Sequence, residues 1–180
     1  MSVTHLPFKQ RGTFSVEFAL LAVVFAAFII LTGDIVIKLS MQGQLDRLSY
    51  SMVNVLKERT QLYDPDFMEI DSQSTRELNS IISHSLGRMV SNYDASKMGT
   101  TFESLTFPNG RQTLDTIEQG GGCQLTDTLA DHQDLSMMTS WGRRASLYRV
   151  TICYETDNWA GASFDTEFTT VQSSSIMMGR

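Results

Sequence analysis

The dominant feature of this chain is a long apolar stretch close to its N-terminus. No polar residue interrupts Phe18–Leu31, and Phe14, Val16 and Ile35–Ile37 extend the stretch on both sides. Taken as one helix, Phe14–Ile37 would be about 36 Å long, enough to cross a hydrocarbon core of roughly 30 Å. The pattern therefore predicts a transmembrane helix over residues 13–37.

Beyond this stretch, apolar positions recur with helical spacing. Five of them would share one face of a helix: Leu45, Leu48, Met52, Val55 and Leu56. This spacing predicts a helical stem over residues 38–62 that continues the membrane helix and packs one face on the following domain. The residue before Pro65 disfavours helix, so the stem should end near Tyr63.

Residues 63–180 carry both helix and strand signals. The capping-box spacing of Ser74 and Glu77 predicts a second helix, which starts at Ser74 and runs to about Asn92. Thr100–Phe107 and Gln112–Ile117 flank a Pro-Asn-Gly turn signal and predict a hairpin.

The strongest strand signal comes late in the chain. Leu147–Tyr154 is rich in β-branched and aromatic residues, and Ala162–Val171 is predicted to pair with it. The sequence therefore predicts an α+β fold, in which a long transmembrane and amphipathic N-terminal helix precedes a small domain of helix and antiparallel sheet.

Charge and composition narrow the possible functions. The formal net charge is −6 at pH 7, and the cations from Lys38 onward form no basic stripe. Phosphate binding needs clustered cations, so we expect no nucleic-acid partner. No catalytic or cofactor motif occurs, so we also expect no cofactor, metal site or catalytic residue. His84 is interpreted as a surface or core residue, and the stretch around His132 as a solvated loop.

The two cysteines, Cys123 and Cys153, form no metal-binding motif. In an exported domain such a pair predicts one disulfide, which would close a loop of about thirty residues and contribute roughly 3–4 kcal/mol on the chain-entropy model. The alternative is a pair of reduced, buried thiols.

The first twelve residues carry Lys9 and Arg11 and no acid. The positive-inside rule then predicts that residues 1–12 are cytoplasmic and that the bulk of the chain lies on the other side of the membrane. An ordinary signal peptide would need small residues at a cut after the apolar run, and Leu31 occupies such a position. Cleavage after the helix is therefore disfavoured.

Glu17 is the one charged residue between Thr13 and Gly33. A carboxylate inside a lipid-spanning helix costs about 2.5–3.5 kcal/mol, so either Glu17 lies at the membrane interface or a cation pairs with it. A cut between Gly12 and Thr13 would create such a cation, because the new α-amine would lie one helical turn from Glu17.

The segment Arg11-Gly12-Thr13-Phe14-Ser15-Val16-Glu17-Phe18 resembles the processing segment of type IV prepilins. Both have a basic leader, a glycine, a cut, four residues, a glutamate and an aromatic residue. The short leader and the Glu-Phe pair are similar to those of the TadF and TadE minor pseudopilins of the tight-adherence (Flp) pilus system. Later stretches also look like TadF proteins: Leu45–Tyr50, Leu56–Thr60, Leu62–Tyr63, Trp141–Arg143 and Leu147–Tyr154.

The resemblance implies a pilin-like fold and a precursor that a prepilin peptidase cuts after Gly12. The leader charges Lys9 and Arg11 would be removed with residues 1–12, and Thr13 would become the N-terminus. Glu17, followed by Phe18, would serve recognition or assembly.

Several expectations about location and partners follow from the same resemblance. Residues 13–37 would span the bacterial inner membrane, and residues 63–180 would form a periplasmic domain. Its partners would be the membrane, the peptidase, other pilins or pseudopilins and the Tad secretion machinery. The protein would be a non-enzymatic assembly component and not the main shaft subunit, because the shaft subunits are very short chains; incorporation into a surface pilus stays open.

Two other functions compete with this interpretation. An uncleaved single-pass anchor with an extracytoplasmic binding domain would retain residues 1–12. A tethered exported enzyme would need a convergent acid, base or nucleophile, which the sequence does not offer.

Overall fold

The fold combines one very long helix with a second helix and a four-stranded sheet. The computed structural model describes residues 13–63, 70–140, 142–156 and 169–179. The elements follow one another in this order: α1 (Thr13–Tyr63), α2 (Ser72–Met89), β1 (Met98–Thr106), β2 (Thr113–Gly120), β3 (Leu147–Glu155) and β4 (Thr170–Met178). The predicted α+β class is confirmed.

The predicted membrane helix and stem are two halves of one 51-residue helix, α1. Its second half buries a stripe with helical spacing: Met41, Leu45, Leu48, Met52, Val53 and Leu56. Val55, which was predicted to lie on this face, is instead 37% exposed, and Val53 contributes to the core. We call the part of the chain that packs on this stripe the head domain.

The sheet is antiparallel with strand order β2-β1-β3-β4, so β1 and β3 are central. Phe102 of β1 pairs with Val150 of β3, and Ser174 of β4 pairs with Thr151. Because side chains alternate along a strand, the sheet has two faces. One face carries Phe102 and Val150 and packs against the helices, and we call the opposite one the outer face.

The main core lies between the helices and the sheet. α1 packs on β3 and β4, while α2 packs on β1 and β2. Leu78, Ile82 and Leu86 of α2 are fully buried, at the i, i+4 and i+8 positions of one helix face. A smaller cluster of Leu105, Leu129 and Leu147 occupies the outer face.

The start of α2 differs from the prediction. Asp71, not Ser74, caps the helix: its carboxylate accepts hydrogen bonds from the backbone N–H groups of Gln73 and Ser74, at 2.8 and 3.0 Å. These two bonds, followed by one from the Ser74 hydroxyl, lower the pKa of Asp71. Ser74 therefore lies inside the first turn, and α2 ends at Met89, three residues before Asn92.

The predicted hairpin of β1 and β2 is confirmed, with Asn109 and Gly110 at positive φ in its turn. The partner of β3 is β4, which starts at Thr170 and ends at Met178. The predicted partner strand Ala162–Val171 is therefore placed too early, since only its last two residues belong to β4. Residues 162–168 lie outside the described residues, and so does Trp141.

The predicted disulfide is confirmed on the outer face, where Cys123 and Cys153 are joined with their Cα atoms 5.7 Å apart. The bond fastens the segment after β2 to the central strand β3. Gly99 makes room for it, since a Cβ atom there would lie 2.1 Å from the Gly122 carbonyl oxygen and 2.9 Å from the Cys153 sulfur.

Gly99→Ala is expected to prevent the disulfide from closing, because backbone and sulfur would have to move apart. The loss of the bridge should lower the free energy of unfolding by about 3–4 kcal/mol. Thiol alkylation of the unreduced full-length protein in detergent should detect two free cysteines. Gly121→Ala is the matched control, since a Cβ atom at Gly121 has nothing within 4 Å. A fully bridged Gly99→Ala protein of unchanged stability would contradict this explanation.

Candidate functional site

The first half of α1 presents an apolar surface that the head domain does not cover. Every Phe, Leu, Ile and Val side chain from Phe14 to Ile37 is exposed. Within the described residues, α1 is the one helix long and apolar enough to span a membrane, and the apolar part lies near the N-terminus. A continuous surface of this kind is favourable in lipid and unfavourable in water.

Glu17 lies in the second turn of α1, and its side chain is exposed within this apolar surface. Thr13, where α1 begins, precedes it by four residues, so the backbone of Thr13 lies about 6 Å along the axis on the same side of the helix. The rings of Phe14 and Phe18 stack beside Glu17 with centroids 6.4 Å apart. Lys9, Arg11 and Gly12 lie outside the described residues.

An ion pair bounds the apolar surface on its head-domain side. Lys38 Nζ lies 2.8 Å from Asp34 Oδ2, one turn away, and Asp34 is only 7% exposed. From Phe14 to Asp34 the helix rises about 30 Å, which equals the thickness of a hydrocarbon core. The apolar segment is therefore long enough to span a membrane, and the ion pair of Asp34 and Lys38 lies at the end of the segment nearer the head domain.

A buried ionic network occupies the outer face of the sheet. The Arg149 guanidinium donates to the Glu103 carboxylate, and the two side chains are 2% and 1% exposed. Arg149 also donates to the Asp127 carboxylate at 2.9 Å and to the Asp127 carbonyl at 2.7 Å. Glu103 in turn accepts the backbone N–H of Leu129 at 3.2 Å. The network therefore fastens the segment after Cys123 to the sheet at a second point.

The network reaches solvent through His132, whose Nε2 lies 2.5 Å from Asp127 Oδ2. The hydrogen bond with His132, followed by that from Arg149, holds the pKa of Asp127 below its usual range. Burial alone would lower the pKa of Arg149, but the hydrogen bonds and charges of Glu103 and Asp127 outweigh it and raise that pKa. Both shifts favour the charged forms.

Sequence reasoning missed this network. Glu103 and Arg149 each lie at the centre of a predicted strand. Two opposite charges at such positions could have indicated a buried ion pair across the sheet. The partner Asp127 could not be found by spacing, since it lies 22 residues from Arg149 in an irregular segment. The stretch around His132 was interpreted as a solvated loop, and Asp131 and Asp134 are exposed. The stretch nevertheless forms a short 3-10 helix, Leu129–Leu135, and His132 is half-buried beside Asp127.

Other candidate residues form no site. His84, which was interpreted as a surface or core residue, is exposed on α2. Among the described residues, no group of three or more His, Cys, Asp or Glu side chains is placed to hold a metal ion. Gly120 and Gly122 adopt positive φ. A Cβ atom at Gly120 would lie 2.6 Å from the Met98 carbonyl oxygen of β1, and one at Gly122 would lie 2.8 Å from the Glu118 carboxylate of β2.

Arg149→Met is expected to lower the free energy of unfolding by about 3–5 kcal/mol, because Glu103 would remain buried without a partner. The double variant Arg149→Met/Glu103→Leu should recover most of that loss, since it removes both charges. Denaturant unfolding followed by circular dichroism measures each value. Equal destabilisation of the single and double variants would show that the loss comes from packing alone.

Asp127 should contribute to stability in a pH-dependent way. Because its pKa is lowered on folding, the contribution is complete above the ordinary aspartate pKa of about 3.9 and is lost as pH falls through the folded value. The melting temperature of the unchanged protein should therefore fall more steeply than that of Asp127→Asn below about pH 4. Parallel curves would contradict the assignment.

Comparison of the chain with known proteins identifies its family. The profile of TadF, tight adherence pilin protein F, matches residues 5–180. No curated protein and no solved structure matches the chain. The matched range contains the apolar half of α1, Glu17, the disulfide and the whole sheet. The chain therefore belongs to the TadF family of tight-adherence pilin proteins.

Proposed function

We propose that this chain is a non-enzymatic minor pseudopilin of Tad pilus biogenesis, which a prepilin peptidase cuts between Gly12 and Thr13. The observation that carries the proposal is the position of Glu17 within the apolar, exposed first half of α1, four residues after Thr13. The family match, which extends from residue 5 to residue 180, supports membership of the pilus system.

The first step of the mechanism concerns insertion. Lys9 and Arg11 hold the leader on the cytoplasmic side, and the apolar half of α1 crosses the inner membrane. The head domain then lies in the periplasm. Asp34 and Lys38, paired at 2.8 Å, remain at the outer boundary of the membrane.

The second step is cleavage, which changes the electrostatics of the membrane segment. Before the cut, the cation closest to Glu17 in the sequence is Arg11, six residues earlier in the leader. Removal of residues 1–12 creates a positive α-amine on Thr13, one turn below Glu17. In an assembly of such helices, Glu17 of one subunit neutralises the Thr13 amine of a neighbour, so a buried charge becomes a pair.

Processing and assembly can be separated with two variants. Gly12→Leu should leave an uncut precursor that still inserts, because the bulky side chain obstructs the peptidase. Glu17→Gln should insert at least as well as the unchanged protein, since it removes a charge from lipid, yet it should fail to support pili. Blotting gives the chain length with and without the peptidase, and electron microscopy gives piliation.

The control is Glu58→Gln, the same substitution on α1 at a residue that is 49% exposed and lies beyond the apolar segment. It should leave processing and piliation unchanged. Mass spectrometry of the mature chain decides between this proposal and an uncleaved anchor. Native protein that starts at Met1 in piliated cells, or normal pili with both Gly12→Leu and Glu17→Gln, would refute the proposed roles.

A further inference from the structure

The end of the sheet at which β1 leads into β2 carries a cluster of exposed cationic and apolar side chains. A short hairpin lies there: the Ala145 N–H donates to the Met137 carbonyl at 3.0 Å, and Met138 pairs with Arg144. The Arg144 guanidinium lies 5.4 Å from the centre of the Phe107 ring, so the hairpin packs beside the β1–β2 turn. We call this surface the arginine–methionine patch, and it comprises six exposed residues: Arg111, Leu135, Met137, Met138, Arg143 and Arg144.

The patch is both apolar and basic. Its two methionines, Met137 and Met138, are 68% and 65% exposed, which is more than any other large apolar side chain described in the head domain. The one acidic residue in the ranges 107–114 and 134–146, which contain the three arginines, is Asp134. Methionine and arginine are both enriched in protein interfaces. The surface therefore suits a partner segment that is acidic and apolar.

The opposite end of the sheet carries a segment of the complementary kind. Residues 155–168, which run from the end of β3 almost to the start of β4, contain no Lys, Arg or His. They contain four acids: Glu155, Asp157, Asp165 and Glu167. They also contain three aromatic residues: Trp159, Phe164 and Phe168. We call residues 155–168 the acidic segment, of which residues 157–168 lie outside the described residues.

The acidic segment is too short to reach the patch of its own copy. Its ends are held together, since the Thr156 N–H donates to the Thr169 carbonyl at 2.8 Å. Twelve residues lie between them, so even a fully extended path out and back reaches only about 20 Å from that hydrogen bond. β3 alone spans about 27 Å from Glu155 to Leu147, and the patch lies beyond Leu147. An acidic segment that occupies the patch must therefore come from another molecule.

We propose that the acidic segment of one copy binds the arginine–methionine patch of a second copy, so that the two head domains lie end to end. The carboxylates pair with Arg111 and Arg143, and the aromatic rings cover the methionines. Because the two surfaces lie at opposite ends of one sheet, the contact is heterologous and can repeat from copy to copy. It uses neither Glu17 nor the Thr13 amine, so it does not depend on the proposed function.

Charge reversal tests the contact in the full-length protein. The protein is purified in detergent from cells that carry the Tad system, so that no bilayer fixes the depth of either helix. One variant reverses the patch (Arg111→Glu/Arg143→Glu), and the other reverses the acidic segment (Asp165→Arg/Glu167→Arg). Arg144 is left unchanged because it packs on an aromatic ring. Sedimentation velocity at low ionic strength measures association.

The control variant, Arg47→Glu/Arg88→Glu, makes the same change of charge at two exposed arginines of α1 and α2. It should associate like the unchanged protein, since neither residue belongs to the patch. Circular dichroism and thiol alkylation check that every variant retains a folded head domain and the disulfide between Cys123 and Cys153.

The unchanged protein should form oligomers whose proportion rises with protein concentration and falls with added salt, because exposed ion pairs are screened. Each charge-reversed variant alone should associate more weakly by about tenfold or more, since like charges then face each other. An equimolar mixture of the two variants should regain association. In that mixture each reversed surface meets a surface of opposite charge on the other variant.

Four results would each overturn the inference: a monomeric unchanged protein, oligomers that both reversals leave intact, equal weakening by the control, or a mixture that does not associate. Oligomers that survive both reversals would indicate contact through the membrane helices. The mass of the chain in the same samples shows whether it starts at Met1 or Thr13. An unprocessed chain from piliated cells refutes the proposed function and leaves the end-to-end contact unaffected.

Discussion

The packing of the second half of α1 on β3 and β4 determines how the whole molecule is arranged. Leu45 and Leu56 are almost completely buried there, so this half of the helix is held firmly by the sheet. Because α1 is one helix from Thr13 to Tyr63, the same contact fixes the rotation of the membrane half about its axis. The direction in which Glu17 faces is therefore set by contacts of Leu45 and Leu56, which lie 28 and 39 residues further along the helix.

The two halves of α1 face different environments, although they share one continuous helical backbone. In its first half, large apolar residues surround the axis, as a lipid-facing surface requires. In its second half, the apolar residues are confined to one stripe, as packing on a sheet requires. The transition occurs between Asp34 and Met41, where the first buried charge and the first core residue follow each other closely. Gly33 and Gly43 bracket this transition without interrupting the helix.

Regular periodicity explains which parts of the fold could be predicted. The long helix, the hairpin and β3 all follow from local patterns in which one spacing dominates. The cap of α2 was assigned wrongly because Asp71 and Ser74 are both capping residues three positions apart, and only the backbone conformation decides between them. β4 contains Ser173, Ser174 and Ser175, which give no strand signal, and two of these hydroxyls meet Ser49 of α1 at 3.1 and 2.9 Å. Its position is thus decided by tertiary contact.

The disulfide on the outer face supports the proposed membrane topology, and it does so independently of the charges in the leader. The segment after β2 is fastened to the sheet by a covalent bond at Cys123 and by an ionic contact at Asp127. A structural disulfide persists in oxidising compartments and is rare in the bacterial cytoplasm. It therefore supports a head domain outside the cytoplasm, without reference to any charge in the leader. Lys9 and Arg11 support the same orientation by the distribution of positive charge. The disulfide in the head domain and the positive charge of the leader are independent features, and both favour the same orientation.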